Sequence, residues 1–208
     1  MRGTLRSGLL WGVLSGSVRA EEPPSTESDL IYFILVDRFA DGTAEPGLPI
    51  EPEDPQGFHG GDLQGVIDHL DHLESMGVET LWISPVTLGQ SERAGPWGAY
   101  HGYWPVDHFK VDPRFGDFPT LARLADELHS RNMRLVLDMV YNHVGYSSTL
   151  PEEAPDWFHP TGDIVDWSDP LQRRTHRVHG LPDLDQTHPE VVDYLSRFSL
   201  QWLEESGA

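Results

Sequence analysis

Three short, mainly apolar runs constrain this chain more than any other feature: Leu30 to Val36, Val78 to Val86 and Met133 to Val140. The first, LIYFILV, lacks the alternation of a strand with one wet face and reads as a strand covered on both sides. Between and after them lie three segments with helical spacing. From Asp62 to Met76, Leu63, Val66, Ile67, Leu70 and Leu73 form one stripe, with Asp62 placed to cap the start and Gly77 to end it. Over residues 117–130, Phe118, Leu121, Leu124, Ala125 and Leu128 share a face. From Pro189 to Glu205, a proline suited to the first turn precedes Val192, Leu195, Phe198, Leu200 and Leu203. Strand–helix alternation with buried strands means parallel βα units.

The connections are unequal. Helices return to strands through tight turns at Gly77 and Arg131-Asn132, whereas residues 40–59, 87–116 and 141–186 are long and rich in Gly, Pro, Asp, His and aromatic residues. Long loops at the C-terminal ends of parallel strands are where such folds place their ligand sites. Composition narrows the ligand. With 14 Lys+Arg against 34 Asp+Glu, the formal charge of −20 disfavours nucleic acid and anionic lipid. The absence of cysteine excludes disulfides, thiolate metal sites and cysteine nucleophiles. Residues 1–20 read as a secretory signal peptide: Arg2 and Arg6, then the apolar GLLWGVL, then Val18-Arg19-Ala20. The expectation is a secreted or periplasmic protein with a polar leader at 21–28 and no stable membrane insertion.

Chemistry concentrates at two strand mouths. Asp138 closes the third run, where a carboxylate is either partnered by backbone N–H groups or at work in a site. In DMVYNHVG it is followed by Asn142 and His143. The loop after the second run carries YHGYW, with His101, Tyr103 and Trp104. Exposed rings there suit the C–H faces of sugars; equally, Trp104 suits an aromatic core.

Four segments, taken together, resemble the α-amylase family, glycoside hydrolase family 13: IYFILVDRFADG (31–42), FHGGDLQGV (58–66) running on to LWISPV (81–86), YHGYWPVDHFKVDPRFG (100–116), and DMVYNHVG (138–145) followed by LPDLDQTHPEV (181–191). The resemblance covers roughly residues 29–208 and implies an α/β fold, the N-terminal portion of a (β/α)8 barrel. About three βα units would span 29–140 and 187–208, with 141–186 a small domain inserted after the third strand. It implies a retaining glycosidase acting on α-glucans such as starch and maltooligosaccharides, through two carboxylates and an oxocarbenium-like transition state. Asp138, His143, Tyr103, His101 and Trp104 would bind the sugar. Asn142 and Asp183 would hold a structural calcium, the implied cofactor, and Asp41, Gly60 and Asp62 a further one, Asp62 being equally suited to a plain helix cap.

The family's nucleophile motif, G-x-R-x-D on the fourth strand, does not occur in these 208 residues. Neither of its two other catalytic carboxylates is matched, so no catalytic residue is expected in this chain, and a full barrel takes about 250 residues. The expectation is an N-terminal part of an α-amylase-like enzyme that stops before the fourth strand and is inactive alone. Two alternatives remain open: a non-catalytic module binding α-glucan and calcium, and a parent enzyme that is a transglycosylase or acts on cyclodextrins.

Overall fold

The computed structural model describes residues 29–43 and 50–208; the signal-peptide and leader assignments (1–28) lie outside the described residues. The three apolar runs form one parallel sheet of β1 (Ile31–Ile34), β2 (Thr80–Ile83) and a strand at Arg134–Leu137, in the order of the chain. Two further strands separate them, a short β3 (Thr87–Gly89) and β4 (Pro105–Val111), so Arg134–Leu137 is β5. In register, Phe33, Trp82 and Val136 stand side by side, as do Ile34, Ile83 and Leu137.

One face of this sheet is covered by helices. The stretch from Asp62 is two helices, α1 (Leu63–Asp68) and α2 (Leu70–Ser75), broken at His69, whose ring Nδ1 bonds the Gly65 carbonyl 2.8 Å away. Then come α3 (Phe118–Ser130) and, after two single-turn helices α4 (Leu150–Glu153) and α5 (Gln172–Thr175), the long α6 (Pro189–Ser206). Asp62 and Asp117 cap α1 and α3 by accepting from Gly65 N and Thr120 N. Gly77 turns the chain at φ 80° and Asn132 at φ 56°, at the two tight returns. Leu81, Ile83 and Leu135 point into a core shared with Leu63, Leu70, Leu121, Leu124, Leu128 and Phe198.

Besides this break at His69, the structure departs from the sequence reading in three respects. The other sheet face is not covered among the described residues: Phe33, Trp82 and Val136 stay 43, 39 and 43 % exposed, with Phe33 and Trp82 edge to face at 5.1 Å. The strands are apolar on both faces, as doubly covered strands are, but the described helices lie on one side only. Second, the loop over 87–116 contains the antiparallel β3–β4 pair, interrupted by irregular register. Third, α6 buries Val191, Leu195, Phe198 and Trp202, while Val192, Leu200 and Leu203 face outward.

The β3–β4 pair is what α6 packs on. Trp202 Nε1 donates to the His108 carbonyl at 2.7 Å, and Gln201 Nε2 to that of Phe109 at 3.2 Å. His108 is buried between three elements, with Nε2 donating to the Val140 carbonyl at 3.1 Å and Nδ1 accepting from the Tyr194 hydroxyl at 3.0 Å. The carbonyl can only accept, which fixes this tautomer. Among the described residues no helix is long and apolar enough to cross a membrane.

Candidate functional site

Asp138 follows β5, and its N–H still donates to the Ile83 carbonyl (3.2 Å), so the third strand's mouth is held against the second. Its carboxylate Oδ2 accepts from the Tyr103 hydroxyl at 2.7 Å. Burial and the adjacent Asp138 charge together hold the Tyr103 phenol well above its ordinary pKa, so it stays a donor at any working pH.

The loop carrying Tyr103 is fixed at several points. Tyr103 N–H donates to His101 Nδ1 (2.9 Å), and His143 Nε2 donates to the Tyr103 carbonyl (3.0 Å). Gly102 adopts φ 80° against the Pro85 carbonyl, and Gly145 lets its chain approach the Trp104 carbonyl while its N–H donates to the Pro105 carbonyl at 2.6 Å. Upstream, the Arg38 guanidinium lies 3.8 Å from the centre of the Tyr100 ring and donates to the Pro55 and Gly57 carbonyls. His101, Tyr103, Asp138 and His143 therefore converge, with Trp104 edge to face on His101 at 4.8 Å. Burial, with the neighbouring His143 adding to it, lowers the His101 pKa to about 4; burial also lowers that of His143. Both rings are neutral at pH 7. The mouth is thus a carboxylate, a phenol, two neutral imidazoles and an indole, a set that hydrogen-bonds and stacks on a neutral polyhydroxylated ligand.

Beside it lies a second cluster. Residues 181–185 run between two neighbouring segments: Leu184 N–H donates to the Asn142 carbonyl at 2.9 Å and Val144 N–H to the Pro182 carbonyl at 3.1 Å on one side, and His159 N–H to the Asp183 carbonyl at 2.9 Å on the other. This buries Asp183 to 1 % exposure. Its Oδ1 accepts from Asn142 Nδ2 at 2.8 Å, while its buried Oδ2 has no hydrogen-bond partner. His159 Nε2 stands 3.9 Å from that oxygen and 3.7 Å from Asp185. Burial raises the Asp183 pKa to about 6, against the lowering effects of His159 and Asn142.

Asp41, Gly60 and Asp62 also lie together. Thr43 N–H is shared by the carboxylates of Asp41 (3.1 Å) and Asp62 (3.0 Å), and Gly60 (φ 93°) backs onto Asp41. The Asp62 carboxylate is otherwise engaged as a cap and loop pin, accepting from Gly65 N–H (2.6 Å), Gly42 N–H (3.1 Å) and the Thr43 hydroxyl. Among the described residues no group of three or more His, Asp or Glu side chains is arranged to hold a metal ion.

The sequence reading missed Gly102, Arg38, Tyr100 and Tyr146. The glycine between two aromatic residues in YHGYW was the available signal for the first. Tyr146, directly after DMVYNHVG, packs edge to face on Trp104 at 5.1 Å.

Known proteins share this arrangement of elements. The family model "Alpha amylase, catalytic domain" matches residues 33–208. A cyclomaltodextrin glucanotransferase of Klebsiella oxytoca is 32 % identical over 89 % of this chain and 33 % of its own length. An intracellular maltogenic amylase of Bacillus subtilis is 34 % identical over 89 % of this chain and 32 % of its own. Among solved structures, an α-amylase from Geobacillus thermoleovorans complexed with acarbose superposes with a TM-score of 0.77 at 40 % identity, covering 86 % of this chain and 38 % of that one. An Anoxybacillus α-amylase superposes at 0.80 with 39 % identity, over 86 % and 39 %. The chain spans about a third of the length of these two sequence relatives.

Proposed function

Because the chain belongs to the α-amylase family, we propose that it is the N-terminal portion of a (β/α)8-barrel enzyme acting on α-glucans, with 141–186 inserted after the third strand, and that it supplies the sugar-binding half of the active site. The Tyr103–Asp138 hydrogen bond beside His101 and His143 carries this reading. A half-buried carboxylate held by a phenol, with two neutral imidazoles around it, can bind several hydroxyls of one sugar ring without an ionic partner. Trp104 and His101 supply apolar faces.

In this reading hydrolysis proceeds with retention. It requires a nucleophile and a general acid that none of the residues assembled here provides, Asp138 being held as a binding group. Isothermal titration of the chain with maltotriose tests the binding role directly. Saturable binding is expected, weakened about tenfold by Tyr103→Ala, with no reducing sugar released from starch. Absence of binding in the folded chain sinks the proposal. Release of reducing sugar shows instead that the chain carries its own catalytic groups.

Calcium fits the second cluster. The Asp183 Oδ2 is buried and has no hydrogen-bond partner, with His159 Nε2 3.9 Å away, and a cation bound there would satisfy it. Asn142 and Asp183 would hold the ion, which when bound ties the third strand's mouth to the 181–185 segment. The Asn142 amide now presents its NH₂ to Asp183 and must turn its oxygen there instead. At a free calcium concentration one hundred times the Kd, binding only the native state contributes about 2.7 kcal/mol. Chelation by EDTA is therefore expected to lower the melting temperature of the unmodified protein and to leave Asp183→Asn unchanged. An unmoved melting temperature in the unmodified protein removes the site. Export to the cell exterior or periplasm is part of the same proposal, supported by the signal-peptide pattern of residues 1–20.

A further inference from the structure

Arg38 ends the single helical turn that follows β1 (Val36–Arg38), and its side chain is only 22 % exposed. Its guanidinium is engaged on every side. Nε lies 2.9 Å from Oδ2 of Asp37, a buried carboxylate that also accepts from the N–H groups of His59 and Gly60. Nη1 donates to His59 Nδ1 at 2.8 Å. The other ring nitrogen, Nε2, donates to the Asp54 carbonyl at 3.0 Å, which leaves Nδ1 as the acceptor. Nη2 donates to the Pro55 and Gly57 carbonyls, at 3.0 and 2.9 Å. The flat face of the group carries the Tyr100 ring.

These contacts join three segments that are well separated in the chain. Pro55 and Gly57 flank Gln56, so Arg38 fixes Gln56 from both sides. Gln56 in turn presents its side-chain carbonyl to the Gly98 N–H at 3.0 Å. Its backbone carbonyl lies so close to Gly98 that a Cβ there would stand 1.7 Å from the oxygen. Arg38 therefore holds residues 98–100 twice, through Gln56 and directly through the Tyr100 ring. From Tyr100 the hold passes along the chain. The Tyr100 ring meets that of His101 edge to face at 5.5 Å, His101 Nδ1 accepts from the Tyr103 N–H, and the Tyr103 hydroxyl reaches Asp138. Arg93 also ties these loops, pairing with Glu51 and Asp54 at 2.7 and 2.6 Å. Those groups are exposed to water, and pairs of that kind contribute little.

We infer that Arg38 is a positioning residue for the sugar-binding mouth, setting the place of His101 and Tyr103 by clamping the 54–60 and 98–100 segments to the end of β1. It acts through Tyr100 and Gln56 rather than on the sugar. The inference rests on the functional reading above and deepens it, by naming the group outside the mouth on which the mouth's geometry depends. The residue type follows from the task. One side chain must stack a plane on a ring while its edge donates to two carbonyls and an imidazole, and only a guanidinium does both. Lysine carries the same charge as a point, with neither the plane nor the fork.

The test measures maltotriose binding by titration calorimetry for the unmodified chain, Arg38→Lys, Tyr100→Ala, Tyr100→Phe and the double variant Arg38→Lys/Tyr100→Ala. Lysine keeps a cation beside Asp37, and near-UV circular dichroism follows folding. Arg38→Lys should weaken maltotriose about tenfold. Tyr100→Ala should weaken it less, and the double variant no more than Arg38→Lys alone, because both changes cut one path. Tyr100→Phe, which keeps the ring, should restore most of the Tyr100→Ala loss. A readout without sugar accompanies these. The NMR signal of the Tyr103 ring Cζ, assigned by its loss in Tyr103→Phe, reports the bond to Asp138 and should shift in folded Arg38→Lys. Fully additive losses overturn the inference while the Asp138 reading stands. So does an unmoved Tyr103 signal with a lowered melting temperature, which shows that Arg38 holds the fold and not the mouth. If Arg38→Lys does not fold, the Tyr100 variants decide, and equal affinities for Tyr100→Ala and Tyr100→Phe overturn the inference. An unmodified, folded chain that binds no maltotriose overturns the functional reading and the inference together.

Discussion

Alanine at Gly102 should destabilise the protein by about 3–4 kcal/mol, whereas alanine at Gly77 should cost only about 1 kcal/mol. The two glycines share the same backbone angle, φ 80°, so both variants bear the penalty of a side chain in the left-handed region. They differ in what the new methyl group meets. At Gly77 nothing lies within 4 Å. At Gly102 the Cβ would sit 1.9 Å from the Pro85 carbonyl oxygen and 2.9 Å from its carbon. That neighbour is backbone at the mouth of the second strand and cannot swing aside, so the 98–104 loop must lift. The difference is therefore a measure of how tightly this loop is pressed on the sheet. At about 2–4 °C per kcal/mol for a protein of this size, Gly102→Ala should melt roughly 10 °C lower. It should also lose maltotriose binding, because Tyr103 leaves Asp138. Equal melting temperatures for the two variants would show that the loop has room to spare.

The second large effect is acid destabilisation through His108. Burial lowers its pKa from 6.5 to about 4, more than the Val140 carbonyl and the nearby Asp107 raise it, and His143 adds to the lowering. A base whose folded pKa is depressed binds a proton more readily when unfolded. Its contribution is thus complete above pH 6.5 and is lost as the pH falls toward 4, amounting to about 3 kcal/mol across that window. The groups facing it explain the direction. Tyr194 and Phe198 on α6 and the Val140 carbonyl enclose the ring, leaving His108 1 % exposed. Asp183 acts in the opposite sense, since its raised pKa favours the folded state as the pH falls below about 6. The His108 share is therefore read as a difference: urea unfolding at a series of pH values for the unmodified protein and His108→Gln. The variant, less stable at pH 7, should show a shallower fall between pH 6.5 and 4. Parallel profiles would mean that the His108 ring takes up its proton in place.

How much of this was legible before any coordinates depends on how local each feature is. Asp62 and Gly77 bound the first helical stretch as their chemistry dictates, because a cap and a left-handed turn need only adjacent residues. The parallel sheet was legible because three apolar runs separated by helical spacing leave few alternatives. The approach of Tyr103 to Asp138, 35 positions apart, was reachable only through the family resemblance. Composition places both at strand mouths but does not orient them. The β3–β4 pair was hidden because β3 has three residues and its ladder is irregular. The buried face of α6 was misjudged because apolar residues stand in adjacent pairs, Val191 with Val192 and Trp202 with Leu203, and only packing on β4 chooses between them. The edge-to-face contact of Trp104 with Tyr146 brings two separated segments together, and no local pattern announces it.

The bond from Trp202 to the His108 carbonyl joins residues 94 positions apart, and the His108–Tyr194 contact spans 86. Most of the remaining core forms between neighbouring units. A contact of such separation closes a long loop and bears the entropy of doing so before packing repays it. Docking of α6 is thus expected late in folding, completing only then the side of the Asp138 mouth that leans on Val140 and His108. Trp202 is buried solely by that docking. With the other six of the seven tryptophans replaced, its fluorescence would time that final step apart from the collapse of α1, α2 and α3 onto the sheet.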